Sequence, residues 1–530
     1  MDNLPNFKSI SWCKPHWELP NITDQNKSLL QQCTSLSTLN LSDDVDEIIE
    51  KSKAFPIEFP IQTVRLINLK SQRPIERLRR NVTSTYPVIH ERVLILMTKF
   101  LEYKRLFGSV IEKALYEKMT VPELIDRILK KRAVCFVGPR DKYLLLSGKR
   151  GAEGWEEIGT TEEKPPLILE NCLSYDEMKL SSMVYVSGYT ECINDGSRFN
   201  KGKVVDNCEQ EAIIIGLVGP RFRRRGKMDY EDIIIIKQQN CPENGYGEES
   251  KSFLKIPNQE TDNRQAAKYA LRELWAEFYQ VCSNLEALQF LSLLKKNICK
   301  NNDYTQTFVY LRKGNLNSIF NNEVYYKRIC VIAETTLIEA EHRAKECGKN
   351  AFVNVVGCGL GVWMVSKHQP DVYVLTFLER IKSFLSNNML NHVTDINFAY
   401  IKDTSNVVGM FQNSNEVTKT SGTIFLKSET HPKGGIKVSM ENREPSARLT
   451  GEHEGKLLVM TYPWDSNAHP GNEFWFGSLH TSGDPAAACS TQVSELHNAH
   501  INPAVSAYNV RVAGRSGLKT LSEYCLALTA

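Results

Sequence analysis

No run of about 18 apolar residues occurs in this chain, so a membrane-spanning helix is not expected. Neither sign of charge dominates. The 65 basic and 62 acidic side chains leave a net charge of +3, too little for a nucleic-acid surface or a polybasic membrane face. The 14 cysteines contain no C-x-x-C pair and no zinc-ligand spacing, which removes the common redox and zinc-finger patterns. Several, among them Cys135, Cys330 and Cys358, lie in or beside apolar runs, as reduced and buried thiols do. The opening residues MDNLPNFKSISW have neither the charged start nor the apolar core of a signal peptide. A cytoplasmic protein, with the nucleus also open to it, is the expectation. No internal repeat is visible. What is there is a globular composition, 42% hydrophobic and 24% charged over 530 residues, with room for two or three cores.

Residues 1–55 are polar and rich in Asn, Ser and Asp, and read as a mostly disordered leader with a short acidic helix over 44–53. Residues 56–132 turn helical from about Ile89, and Thr120-Val121-Pro122-Glu123 has the form of a capping box. A helical extension without chemistry is expected there. Over 133–320 an α/β region is expected. Short apolar runs recur at 134–137, 143–146, 183–186, 212–218 and 233–236, the last two nearly continuous, as in strands buried on both faces. Residues 221–227, RFRRRGK, form the most basic run of the chain. They read first as a solvated loop, and otherwise as a dock for phosphates or an acidic protein face. An amphipathic helix from Arg264 places Ala267, Leu271, Leu274, Trp275 and Phe278 on one face, and more helix is expected over 285–294.

Two stretches carry chemistry. In the first, Leu337, Ala340, Ala344 and Cys347 fall at helical spacing, and Gly348 suits the C′ position that ends a helix. The run AFVNVV then reads as a buried strand leading into Gly357, Cys358, Gly359, Leu360, Gly361 and Val362, with a helix after Pro370. Helix, strand, glycine-rich loop, helix is wiring that lets backbone N–H groups approach oxyanions. A tight turn between packed elements would use the same glycines. Residues 396–401 read as a further strand, 403–455 as a surface excursion, and 509–512 as a short strand.

The second stretch, 456–492, opens with an apolar strand at 457–460. Its loop carries Asp465, Asn467, Asn472 and Glu473, and closes at Gly483-Asp484-Pro485. Asp484 suits a helix N-cap and Pro485 the first helical turn. Taken singly, these are cap and turn residues. Yet Tyr462, Trp464, Phe474, Trp475 and Phe476 frame the loop with more aromatic surface than a solvated turn needs, as a pocket with apolar walls does. Acids and amides thus gather at the C-terminal end of a strand, where open α/β sheets bind ligands.

The strings YPWDSNAHPGNEFW and SGDPAAA, with the GCG turn, resemble the macrodomain superfamily. The closer likeness is to a divergent class of ADP-ribosylhydrolases found in arthropods and in a bacterial effector that removes ADP-ribose from ubiquitin arginine. It reaches back through the GLVGPRF segment and covers most of the chain after residue 130. The resemblance implies an α/β fold, a macrodomain-like mixed sheet flanked by helices, with its core over 321–530. Here the glycine loop precedes the acid loop, which implies a permuted topology or an inserted sheet. The usual Asn-Ala-Ala-Asn string is replaced by Asp465-Ser466-Asn467.

The resemblance also implies the chemistry. The loop 357–362 would cradle a diphosphate, and Asn467 would orient the ribose, with Asn472 and Gly483 as further ligand contacts. Phe474 or Trp475 would stack on adenine or wall the distal ribose. Asp465, Asp484 and Glu473 would supply carboxylates at the anomeric carbon, where an oxocarbenium-like transition state needs an anion and a proton carrier. His469 and His480 flank the loop and read as polar surface residues. The expected activity is hydrolysis of the N-glycosidic bond of a mono-ADP-ribosylated protein, at arginine. ADP-ribose is expected as ligand and product, with no metal and no cofactor. The modified protein is the expected partner, ubiquitin among the candidates, and neither nucleic acid nor membrane. A reader that binds ADP-ribose without cleaving it is the alternative. A transferase over 133–240 is remoter, because no glutamate pair stands there.

Overall fold

The computed structural model describes residues 4–529 except 38–40, 256–259, most of 282–299, 302–303, 314–315, 403, 405 and 412–421. Its centre is a mixed sheet of ten strands. In chain order these are β1 (Tyr86–His90), β2 (Val184–Glu191), β3 (Glu211–Leu217), β4 (Ala351–Val356), β5 (Val393–Ala399), β6 (Thr423–Lys427), β7 (Gly435–Ser439), β8 (Leu457–Pro463), β9 (Arg511–Gly514) and β10 (Gly517–Thr520). They lie in the order β6-β7-β5-β4-β8-β3-β2-β1-β9-β10. The strands β7, β5, β4, β8 and β3 all run parallel, with Val353 opposite Val459 and Val459 opposite Ile213. Loops after β4, β8 and β3 therefore leave the sheet along one edge. The β-branched runs of β3 and β4 are buried almost end to end because layers cover both faces. Antiparallel partners, β6 on β7 and β10 on β9, close the two ends.

The helices of the molecule include α1 (Asp24–Cys33), α2 (Val45–Ala54), α3 (Glu91–Phe107), α4 (Asn322–Glu346), α5 (Gln369–Ser386) and α6 (Gly483–Ser490). The longest, α4, starts where the Asn321 side chain accepts the Glu323 and Val324 N–H groups. It ends at Cys347, with Gly348 at φ +64°, as the helix-stop reading of that glycine expects. It packs on α5 and across β1, β4, β5 and β9. Buried charge on α4 is paired: Glu339 accepts from Tyr86 (3.0 Å) and Ser187 (2.6 Å) and faces Arg343 at 2.7 Å, while Arg328 meets Asp229 at 3.1 Å.

Three expectations are corrected. The supposed leader is folded into the molecule. Helices α1 and α2 bury Leu29, Leu30, Ile48 and Ile49, and Trp12 is fully buried with its indole N–H on the Tyr304 carbonyl. Few apolar residues suffice when they fall on one helical face, and an averaged composition hides that stripe. The acidic helix expected over 44–53 is α2. The boundaries at 132 and 320 do not divide the fold either. The sheet takes β1 from the first region, β2 and β3 from the second and the rest from the third, and one apolar cluster includes both Ile10 and Cys525. Finally, 403–455 is not only an excursion. It supplies β6 and β7, whose alternate residues Ile424, Leu426, Ile436 and Val438 are buried while Thr423, Phe425 and Lys427 on the other face of β6 are exposed.

Residues 133–182 carry their own three-stranded antiparallel sheet (Cys135–Val137, Lys142–Leu144, Arg150–Gly151), with Phe136, Trp155 and Leu173 in a separate apolar cluster. The amphipathic helix expected from Arg264 is present as Glu260–Tyr279, with Leu271, Leu274, Trp275 and Phe278 buried. The helical stretch expected over 285–294 falls largely outside the described residues. Among the described residues no helix is long and apolar enough to cross a membrane.

Candidate active site

β4, β8 and β3 end side by side, so the loops behind them are held together. A Cβ on Gly219, just after β3, would lie 2.3 Å from the Gly359 nitrogen, so only glycine lets this loop lie directly on the glycine-rich turn. Gly359 itself has φ +78° and sits against Pro220. Packing thus uses part of the turn, as its bland reading held. The rest is open: Gly361 has nothing within 4 Å of an added Cβ, and Val362 is 71% exposed. Leu360 is half-buried and packs against Gly357, and the Cys358 side chain is buried.

The loop after β8 is shaped from below. Asp484 lies in the first turn of α6, whose N-cap is Ser482, so it is not the cap expected. Its carboxylate instead accepts the Gly471 N–H at 2.7 Å and the Asp465 N–H at 3.3 Å. Gly471 (φ +105°) and Asn472 (φ +36°) make the bend these bonds hold. Gly483 allows the helix to begin against Pro463, whose Cγ would stand 2.6 Å from a Cβ there.

From above, the small sheet runs along the same loop. Ala133 donates to the Asn467 carbonyl at 3.0 Å and accepts from His469 N–H at 2.8 Å. Phe136 donates its N–H to Asn472 Oδ1 at 2.8 Å, and the Asn472 amide donates back to the Phe136 carbonyl at 3.3 Å and to the Asp465 carboxyl.

Three carboxyls therefore converge. Asp465 and Glu473 are half-buried and Asp484 fully so. Burial pushes Asp465 well above the ordinary carboxyl range, Glu473 and Asp484 push it further, and Arg221 opposes. Burial also raises Asp484 well, with Glu473 adding and the two loop N–H groups opposing. Glu473 is raised by burial, while its own backbone N–H and the Ser482 hydroxyl (3.4 Å) favour its anion. Carboxyls raised together at such short range share their titration, so their protons come off in steps that belong to the set.

The residues named from sequence fare differently. Asp465, Glu473, Asp484 and Asn472 come together, next to the 357–362 turn. Asn467 is fully buried, and neither polar atom of its side chain has a partner among the described residues. Phe474 and Trp475 do not offer free rings. Both are buried, and Trp475 packs on Phe55 (5.2 Å) and Phe59 (4.9 Å) with its N–H on the Pro470 carbonyl. Two large rings beside a folded N-terminal segment gain more by burial than by exposure. His480 is exposed, and His469 is buried, where burial holds its imidazole neutral.

Sequence reasoning missed Arg221, Asp141 and Phe136. The basic run is not a solvated loop: Arg221 is buried, 2.7 Å from Asp141, and Arg224 pairs with Glu156, leaving Arg223 and Arg225 exposed. The available signal was that Arg221 follows a fully buried strand by one Gly-Pro step, yet nothing within the run itself separates a buried arginine from exposed ones.

A glycine turn and a set of raised carboxyls, side by side at the ends of parallel strands, fit a hydrolytic enzyme of the α/β class. The chain matches, over residues 46–527, the family described as ADP-ribosylhydrolase MavL-like, and it belongs to that family. It is 39% identical over 481 residues to the ADP-ribosylarginine hydrolase CG3568 of Drosophila melanogaster, covering 89% of this chain and 86% of that one. To the ADP-ribosylarginine hydrolase CG2909 of the same organism it is 35% identical over 520 residues, 97% and 95% of the two chains.

Proposed function

We propose that this protein hydrolyses the bond between ADP-ribose and arginine on modified proteins, with Asp465 and Glu473 as the reacting pair. The observation that carries this reading is the convergence of three raised carboxyls beside the open glycine turn. The turn 357–362 takes the diphosphate through its N–H groups, with Arg223 and Arg225 nearby in sequence to a strand that ends beside it. Asp465, the half-exposed acid with the strongest reasons to stay protonated, hands its proton to the departing guanidine nitrogen. Glu473 is the anion. It stabilises the oxocarbenium-like sugar and takes a proton from the attacking water. Transfer of that proton from Glu473 to Asp465 resets the site. Asp484, with both oxygens on loop N–H groups, holds the loop rather than touching the sugar.

The parallel strands with a glycine turn and an acid loop at neighbouring ends support a macrodomain-like arrangement with permuted loop order. A reducing, cytoplasmic compartment suits the cysteines of the described residues, which are free and mostly buried. The test compares arginine-, serine- and glutamate-linked conjugates, with ADP-ribosylated ubiquitin included as one substrate. ADP-ribose should be released from arginine, and Asp465→Asn or Glu473→Gln should lower turnover about 10²–10⁴-fold while calorimetric ADP-ribose binding persists. Binding with no release by the native protein would leave the reader function instead.

A further inference from the structure

We propose that Arg221 is a positioning residue for the hydrolytic step: seated on Asp141, it braces the Asp465 side of the carboxyl cluster against the glycine-rich turn and brings a fixed positive charge to that side. The inference rests on the proposed role of Asp465 as proton donor.

The geometry carries it. Arg221 is the buried member of a run whose Arg223 and Arg225 are exposed. Taking a guanidinium out of water is costly unless it is well partnered, and this one is. Its Nη2 lies 2.7 Å from Asp141 Oδ1 and 3.3 Å from the Gly138 carbonyl, and its carbon lies 4.8 Å from the centre of the Phe136 ring. Phe136 is the residue whose N–H fixes Asn472, and Asn472 in turn donates to Asp465. On its other side, 6.0 Å away, is the ring of Trp363, immediately after the glycine turn. The Arg221 N–H is tied to Asp229 at 2.9 Å, and Asp229 to Arg328 on α4 at 3.1 Å. From the β3 loop, one side chain thus reaches the small sheet and the residue after the glycine turn, and through Phe136 and Asn472 it bears on the acid loop.

Charge adds a second line. Asp465 faces Glu473 from its own loop, Asp484 from the first turn of α6, the Cys135 thiol from the small sheet, and Arg221 from the β3 loop. Arg221 is the cation in that set, and its charge opposes the rise of Asp465. Asp141 faces Arg221, Arg224 at 3.7 Å and the Tyr175 hydroxyl at 2.5 Å. Without the cation, Asp465 would hold its proton more tightly and become a weaker acid.

The test is the pH profile of kcat/KM for ADP-ribosylarginine release by the full chain, in the native protein, Arg221→Gln and Arg221→Lys. Arg221→Gln should move the alkaline limb upward by about 1 unit or more, the effect of losing one nearby opposite charge, and lower kcat. Arg221→Lys should leave the limb near its native place. An Arg221→Gln profile that only drops, with the limb unmoved, overturns the proposal and leaves a structural role. A parallel infrared titration of the protonated-carboxyl stretching band, native against Arg221→Gln, reads the same shift without turnover. A native protein that releases no ADP-ribose but shows the infrared shift would sink the hydrolase reading and not the role of Arg221. An unmoved band would sink that role whatever the activity.

Discussion

Asn472→Asp is the sharpest perturbation of the site, because it is isosteric and changes one group from donor to acceptor. Asn472 is fully buried and makes three hydrogen bonds: Oδ1 accepts from Phe136 N–H, and Nδ2 donates to the Phe136 carbonyl and to Asp465. An aspartate keeps the first and loses both donations, about 0.5–1.5 kcal/mol each. It also adds a carboxyl against Asp465, in a cluster that already holds Glu473 and Asp484. Burial and like charge raise such a group, commonly by about 2 units above its unfolded value of about 3.9. A raised folded value means the variant keeps its stability where the new acid is protonated and loses it as pH rises. The deficit relative to the native protein should grow by about 1.4 kcal/mol per unit between about pH 4 and pH 6, then level off about 3 kcal/mol deeper. Urea unfolding of the full chain, followed by tryptophan fluorescence at a series of pH values, measures it. Asn472→Ala, which removes the donor to Asp465 but adds no acid, serves as the control, with a much weaker dependence on pH. Native and Asn472→Asp curves that run parallel across this range would refute the argument that the acids share one low-dielectric site.

Other outcomes follow from the same geometry. Gly219→Ala places a Cβ 2.3 Å from the Gly359 nitrogen, so the β3 loop must lift off the glycine turn. Calorimetry should show ADP-ribose affinity at least about tenfold weaker, about 1.4 kcal/mol, and an unchanged Kd would show that the turn does not meet the ligand. Asp484→Ala orphans the Gly471 and Asp465 N–H groups, each costing about 1–3 kcal/mol when buried and unpaired. Unfolding should report that loss together with lost turnover. Full stability with lost turnover would instead put Asp484 at the sugar.

The strands β3 and β4 were legible because an apolar run bounded by glycine needs little context, and so was the end of α4, where Gly348 takes the left-handed conformation. Asp465, Glu473 and Asp484 could be picked out together because they lie on one loop and the helix it feeds. The likeness of that loop to the ADP-ribosylhydrolases was legible for the same reason, and the family match over 46–527 bears it out.

What the chain alone determined, then, is period and local reach: which faces are apolar, where elements stop, and which acids share a loop. Only the tertiary structure decided partners. It set β8 between β4 and β3, buried Arg221 while leaving Arg223 in water, and turned Phe474 and Trp475 inward against the N-terminal segment. The reason is physical. Burial of apolar surface has no direction and strand pairing reaches far along the chain, so a residue's pattern states that it will be covered but not by what.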